Sequence, residues 1–206
     1  MTEEELLVGG TSVSRETFQK LEQLSALIIK WTKSINLISP NSIAEIWDRH
    51  IVDSAQIYEL APSNWVNWVD LGSGGGLPAL VIALLDQERR QITLVESDQR
   101  KSLFLNTAKR ELDLNLKVVN KRIESTDLKN FDVMSARALA PLPDLLTFAV
   151  QYLTPDGTAI LPKGARFNEE LDQAREDWHF DVTPHPSQTN TDSRILEISR
   201  IRRRES

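Results

Sequence analysis

The sequence predicts an α/β fold: a mostly parallel sheet with helices on both faces, preceded by an amino-terminal helical cap. Three observations predict it. Apolar residues recur at helical spacing up to about residue 61, then from residue 65 in short strand-like runs that alternate with helical segments. A glycine-rich turn joins the first of these runs to a helix. An acidic residue closes the next run, 24 residues after the first glycine of that turn. Strands separated by helices become parallel neighbours joined by crossovers, and such sheets are covered on both faces.

In chain order, a first helix is predicted from Ser14 to Lys33, with Phe18, Leu21, Leu24, Leu27, Ile28 and Trp31 on one face. A second starts at Ser42, where Ser42-Ile43-Ala44-Glu45 reads as a capping box and Ile43, Ile46, Trp47, His50 and Ile51 form one face. Pro62 closes this portion, so residues 1–62 are the predicted cap and residues 63–206 the core of one structural domain. Val66, Trp68 and Val69 then lead into the glycine turn, and Leu77 to Leu85 reads as a helix. Gln91 to Val95 is the second strand, and Asp98 caps a helix carrying Leu103, Phe104, Ala108 and Leu112. Lys117 to Val119, Phe131 to Ser135 and Thr158 to Leu161 are three further strands, with a helix from Pro143 to Tyr152 between the last two. Arg194 to Ile201 alternates with period two, as a final strand does.

Bulk properties narrow the function classes. The 206 residues suit one ordinary domain, and 40% hydrophobic with 26% charged residues describes a chain able to bury a core. The absence of cysteine excludes disulfides, thiolate metal sites and a cysteine nucleophile, and fits a reducing compartment. No apolar run approaches the ~20 residues of a membrane span. The amino terminus, Met1 to Glu5, is acidic where a signal peptide is basic, so a cytoplasmic location is expected. A net charge of −6 argues mildly against a polyanionic partner. Charge is uneven, however: Arg200, Arg202, Arg203 and Arg204 crowd the carboxyl end, and Lys117, Lys121 and Arg122 cluster mid-chain. A local basic patch suffices for RNA, and a solvated tail is the plainer reading of the arginine end.

The chemistry centres on Asp70-Leu71-Gly72-Ser73-Gly74-Gly75-Gly76-Leu77-Pro78. It stands at the carboxyl end of the first sheet strand, where doubly wound sheets bind nucleotides. Glycine lets the backbone turn sharply and a ligand approach closely, and Pro78 suits the first turn of the next helix. A dinucleotide fingerprint starting at Gly72 needs glycine at 77, where Leu77 stands. The pattern is instead acid-x-G-x-G-x-G, which resembles motif I of class I (Rossmann-like) methyltransferases. Their cofactor, S-adenosylmethionine, carries no pyrophosphate, so Asp70 can face its cationic amino-acid end. Glu96 is placed to accept from both ribose hydroxyls. Ile123 and Glu124, after the third strand, stand where that superfamily holds the adenine edge.

Absent motifs limit the methyl acceptor. Pyrimidine C5 requires a cysteine, and the Asn/Asp-Pro-Pro-aromatic loop of adenine and cytosine amine methyltransferases is replaced by Ser135-Ala136-Arg137-Ala138. No His/Asp cluster suggests a metal. Acceptors that need no deprotonation remain, and guanine N7, with its in-plane lone pair, is one. Nearly the whole chain resembles the bacterial small-subunit ribosomal RNA guanine-N7 methyltransferases, the glucose-inhibited division protein B family. The matching pieces are Trp31 to Leu37, Arg49 to Ser54, Asp70 to Pro78, Ser135 to Ala138 and Leu161 to Gly164. The resemblance implies a cofactor site at Gly72, Leu77, Ile123, Glu124 and Arg137, and a guanine in the decoding-region loop of 16S ribosomal RNA as target. The chain departs from the family at Ser73-Gly74-Gly75, in place of a threonine-glycine-proline arrangement, and at Ile35, in place of an aromatic residue.

The expected site therefore comprises Asp70, Gly72, Gly74, Gly76, Leu77, Glu96, Ile123, Glu124 and Arg137 around S-adenosylmethionine, with Arg137 also the catalytic candidate. Arg49, His50, Lys163 and Arg202 are the candidate RNA contacts. The plainer readings stand beside them: His50 as a satisfied core histidine, Lys163 as a solvated strand end, Asp53 as a surface partner of Arg49, Asn36 as a cap of the first helix, and Trp31, Trp47 and Trp68 as core. The expected partner is 16S ribosomal RNA or a small-subunit precursor, met by a monomer. A small-molecule methyltransferase and an NAD-type nucleotide binder are the competing readings.

Overall fold

The computed structural model describes residues 6–205; the acidic Met1 to Glu5 lies outside them. Two short strands, β1 (Leu6–Val8) and β2 (Thr11–Val13), open the chain as a hairpin. Helix α1 (Arg15–Thr32) follows, with the Ser14 hydroxyl accepting from the Thr17 amide at 3.1 Å. Its predicted stripe is buried at Leu21, Leu24, Leu27 and Ile28, and Trp31 meets Phe104 edge-on at 5.6 Å.

The second helix departs from expectation. Pro40–Ser42 forms a 3-10 turn, Trp47–Val52 is π-helical, and a regular helix α2 runs only over Asp53–Glu59. No capping box forms at Ser42. Its hydroxyl donates to the Ser39 carbonyl at 2.8 Å and meets the His50 ring at 2.8 Å, so it is not free to cap, while Glu45 turns outward to Arg49 at 3.3 Å. Asn36 is exposed and caps nothing; α1 ends on Lys33.

The core alternates as predicted: β3 (Asn67–Leu71), α3 (Ala79–Leu85), β4 (Gln91–Val95), α4 (Gln99–Glu111), β5 (Leu116–Val119), β6 (Phe131–Ser135), α5 (Leu142–Tyr152) and β7 (Leu153–Lys163). Helix α3 begins two residues later than predicted, with Pro78 flanking it after a cis Leu77–Pro78 peptide. Asp98 caps α4 as expected, its carboxylate accepting from Arg100 and Lys101 amides, but Leu103 faces solvent and Leu105 takes its place in the core. Helix α6 (Phe167–Asp177), β8 (Trp178–Pro186) and β9 (Arg194–Arg203) complete the chain.

Seven strands form one sheet in the order β5-β4-β3-β6-β7-β9-β8, parallel except for β9, which is antiparallel to both neighbours. The period-two pattern divides each strand between two apolar layers. Trp68, Ile92, Leu94, Val133 and Ile160 face a cluster that includes α1, α3 and α4; Val69, Leu71, Val95, Met134 and Leu161 face one built with α5 and α6. Leucines and isoleucines of α1 and of residues 38–57 join the first of these layers. Among the described residues no helix is long and apolar enough to cross a membrane. Strand order reverses between β3 and β6, and the crevice outside their carboxyl ends is where ligands of such sheets bind.

Candidate active site

The glycine turn begins where β3 ends. Gly72, Gly74 and Gly76 are all left-handed, at φ +64°, +53° and +78°, which side chains with a Cβ rarely adopt. The loop is closed by Gly76 N–H donating to Ser73 O at 2.7 Å and Ser73 N–H donating to Val95 O at 3.1 Å. A Cβ at Gly72 would stand 2.6 Å from Leu139, one at Gly75 would stand 2.9 Å from the Leu37 carbonyl, and one at Gly76 would strike Leu80. Gly74 differs: a Cβ there would meet nothing nearer than the Gly72 carbonyl at 3.7 Å. That side of the turn is an open cradle. Leu77 is buried at 4% exposure in the core beneath the turn, so it offers a ligand its backbone and not its side chain.

Two acids flank the cradle. Asp70, at the end of β3, is 1% exposed. The Trp68 indole N–H donates to the Ser135 hydroxyl at 2.9 Å, which leaves that hydroxyl to donate to Asp70 Oδ1 at 2.6 Å. Asp70 Oδ2 is buried with no hydrogen-bond partner among the described residues. Burial pushes the Asp70 carboxyl up to about 6, against the pull of the Ser135 and Ser73 hydroxyls and of the Arg137 charge. Glu96, at the end of β4, accepts from Gly74 N–H and Asp98 N–H, one on each oxygen, both at 2.7 Å. Each oxygen keeps a second lone pair for a further donor. Ile123 and Glu124 lie in a 3-10 turn after β5, Ile123 buried and Glu124 exposed. An orphaned buried carboxylate oxygen, an open glycine face and a second carboxylate with spare lone pairs fit a ligand with a cationic end and a diol.

Beside the turn, on the β6–β7 side, lies a cleft of about 720 Å³. Arg137, following β6, stands in its wall. One guanidinium nitrogen meets Asp53 Oδ2 at 3.4 Å and the other donates to His50 Nδ1 at 3.2 Å. Since the guanidinium only donates, the imidazole proton must sit on Nε2 and point to Ser42. Burial and the charges of Arg137 and Arg49 lower the His50 pKa to about 4, so the ring is neutral at physiological pH.

The structure brings Asp70, Gly72, Gly74, Gly76, Glu96 and Arg137 to one sheet edge, and it corrects several expectations. Asp53 pairs with Arg137, not Arg49, because the π-helical turn carries it inward; Arg49 keeps its surface pair with Glu45. Both His50 ring nitrogens are occupied, by Ser42 and Arg137, as in the reading of a satisfied histidine. Lys163 is not a solvated strand end: its side chain is 8% exposed and held by Glu170 at 2.7 Å and the Ala140 carbonyl at 3.0 Å. Arg202 is not at this edge at all. Strand β9 runs antiparallel, pairing Arg194 with Lys163 at the cleft, so Arg202 lies opposite His179, roughly 26 Å away along the strand. Arg194 was not among the sequence candidates. It lines the cleft over the Phe167 ring at 5.4 Å and, among the described residues, meets no carboxylate within ion-pair range. Reading the final strand as antiparallel was the signal that would have found it.

Known proteins match this arrangement. A family model described as rRNA small subunit methyltransferase G (GidB) matches residues 17–195. A Ruegeria sp. protein named ribosomal RNA small subunit methyltransferase G is 46% identical over 194 residues, spanning 93% of this chain and 94% of its own. The protein of the same name from Bartonella henselae is 47% identical over 203 residues, spanning 97% and 94%. An O-methyltransferase from Bacillus cereus, solved in complex with SAH, shares the fold at a TM-score of 0.60 and 12% identity, covering 88% of this chain and 90% of that one. With the family model matching most of its length and close relatives spanning nearly all of it, this chain belongs to the rRNA small subunit methyltransferase G family.

Proposed function

We infer that this chain transfers the methyl group of S-adenosylmethionine to N7 of a guanine in the decoding-region loop of 16S ribosomal RNA, free or in a small-subunit precursor, as a cytoplasmic monomer. One observation carries the reading: a glycine-built, acid-flanked cradle and a cation-lined cleft meet at Arg137. The name shared by its relatives points to the same class of substrate.

When bound, the cofactor supplies a methyl group on a cationic sulfur, which guanine N7 accepts without losing a proton. The chain's part is placement. Asp70 Oδ2 is the seat for the cofactor's ammonium, the spare lone pairs of Glu96 take the ribose hydroxyls, and the Ile123–Glu124 turn borders the adenine. Leu77 contributes backbone. Arg137 has donors left beyond Asp53 and His50, and directs them at the cofactor carboxylate or the guanine edge. It cannot serve as a base. The two carboxylates that line the cleft, Asp53 and Glu170, are each already paired with a cation. An acceptor that needs no deprotonation suits such a cleft. Arg49, which is exposed, and Arg194, half-buried and donating to the Thr191 and Ser193 carbonyls but to no carboxylate among the described residues, are the cleft cations offered to RNA phosphate.

Mass mapping of 16S ribosomal RNA from a deletion strain tests the reading. One guanine in the decoding region should lose its methyl group and regain it on complementation. Unchanged methylation at every guanine would refute it.

A further inference from the structure

The loop between β8 and β9, residues 187–193, lies against Asp53 at the border of the cleft, which Ser187 and Ser193 help to line. Gln56, 3% exposed in the middle of α2, holds this loop: its Oε1 accepts from the Gln188 amide at 2.9 Å, and its Nε2 donates to Asp53 Oδ1 at 2.9 Å and toward Ser187 Oγ at 3.3 Å. Gln188 Nε2 in turn donates to the Gly9 carbonyl at 3.2 Å, which ties the loop to the amino-terminal hairpin. The Thr189 hydroxyl reaches Asp53 Oδ1 at 3.0 Å. A carboxylate only accepts, so the single Thr189 proton goes to Asp53, and the Ser187 hydroxyl, 3.1 Å away, donates to Thr189. Asp53 is thereby divided: Oδ1 serves Thr189 and Gln56, and Oδ2 serves Arg137.

We propose that Thr189 is a positioning residue for methyl transfer, fixing the Asp53 carboxylate so that Asp53 fixes the Arg137 guanidinium. The proposal rests on Arg137 acting in the transfer as described above. Three distant segments, the π-helical turn, the end of β6 and the β8–β9 loop, converge on this one carboxylate. Gln56 holds Oδ1 from within α2 and Thr189 holds it from the β8–β9 loop; two donors on Oδ1 set the plane of the carboxylate more narrowly than Gln56 alone, and so the direction in which Oδ2 meets Arg137. Thr189 is not among the residues that line the cleft, so its contribution passes through Asp53.

The test compares the unmodified chain with Thr189→Val, which keeps the shape and removes the hydroxyl, and Thr189→Ser, which keeps the hydroxyl. Small subunits from a deletion strain serve as substrate, and S-adenosylhomocysteine affinity and melting temperature are measured alongside. Thr189→Val is expected to lower kcat roughly tenfold or more while KM for the particle stays within about twofold. Thr189→Ser should restore kcat. Asp53→Asn should lower kcat as well, and the Asp53→Asn/Thr189→Val pair no further than Asp53→Asn alone, since both act on one line. Unchanged kcat in Thr189→Val, a serine variant as slow as the valine one, an effect confined to KM, or additive losses in the pair would each overturn the assignment. No transfer by the unmodified chain to any ribosomal RNA would overturn the reading beneath it and the proposal together.

Discussion

At the scale of single residues, Gly74 and Gly76 separate cofactor binding from stability. Both are left-handed, yet a Cβ at Gly74 enters open space while one at Gly76 enters the Leu80–Leu105 packing. Gly74→Val shares the left-handed strain but meets no packed neighbour, so it is expected to fold with a lowered melting temperature and to lose S-adenosylhomocysteine binding in calorimetry, because its side chain fills the cradle. Gly76→Ala should lower the melting temperature further, since the clash with Leu80 and Leu105 adds to a left-handed strain of ~1–2 kcal/mol. Wild-type affinity in Gly74→Val would remove the turn from the site. Asp70 brings a pH dependence whose sign follows from its raised pKa. Above about 6 the buried carboxylate is charged, as a seat for the cofactor's ammonium requires; below it the group is protonated. Affinity for S-adenosylhomocysteine should therefore fall as pH drops through about 6, by up to tenfold per unit. The same shift acts oppositely on the unliganded fold, since a carboxyl raised by burial contributes stability below its unfolded value of 3.8 and loses it as pH rises through about 6. A flat affinity profile from pH 5 to 8 would contradict the placement of Asp70.

Among elements, the segment from Pro40 to Glu59 departs furthest from its sequence reading. Serine followed three residues later by glutamate has the spacing of a capping box, but which hydroxyl partner wins is decided by His50, eight residues on, held from beyond by Arg137. No local pattern contains that information. The two readings predict different mutational costs. Ser42 is 3% exposed and bonded to His50, so Ser42→Ala should cost about 1–2 kcal/mol in urea unfolding. Glu45 makes one exposed pair with Arg49, so Glu45→Ala should cost less than about 0.5 kcal/mol. A working capping box would make the two losses comparable. Elsewhere, elements with a long apolar stripe or run were legible: α1, β3, β4, β6 and α5 fall within a few residues of expectation. Those missed are polar or short. Helix α6 buries only Leu171 and Ala174, β8 is a half-exposed edge strand carrying two prolines, and the opening hairpin strands have three residues each.

For the molecule as a whole, strand order accounts for what the sequence showed of the site and what it hid. The cradle was legible because strand, turn and helix are consecutive, and the Glu96 position because one crossover separates parallel neighbours. The cleft was not, because its cations come from the π-helical turn, β6, β7 and β9, and only the antiparallel insertion of β9 decides that Arg194 and not Arg202 is present. A chain of net charge −6 thus carries a locally cationic cleft. Binding to small subunits should weaken steeply with added salt, as phosphate contacts release counterions, and Arg194→Gln should reduce the slope of log K against log salt by about 1. A salt-independent reaction would favour a small-molecule acceptor. The most direct measurement is transfer from radiolabelled S-adenosylmethionine to 16S ribosomal RNA of a deletion strain, supplied free and as assembled small subunits, followed by mapping of the label. The account predicts label on N7 of one guanine in the decoding-region loop, abolished by Gly74→Val and reduced roughly a hundredfold by Arg137→Ala. Label on another base or atom, or full transfer by the Arg137→Ala chain, would contradict it.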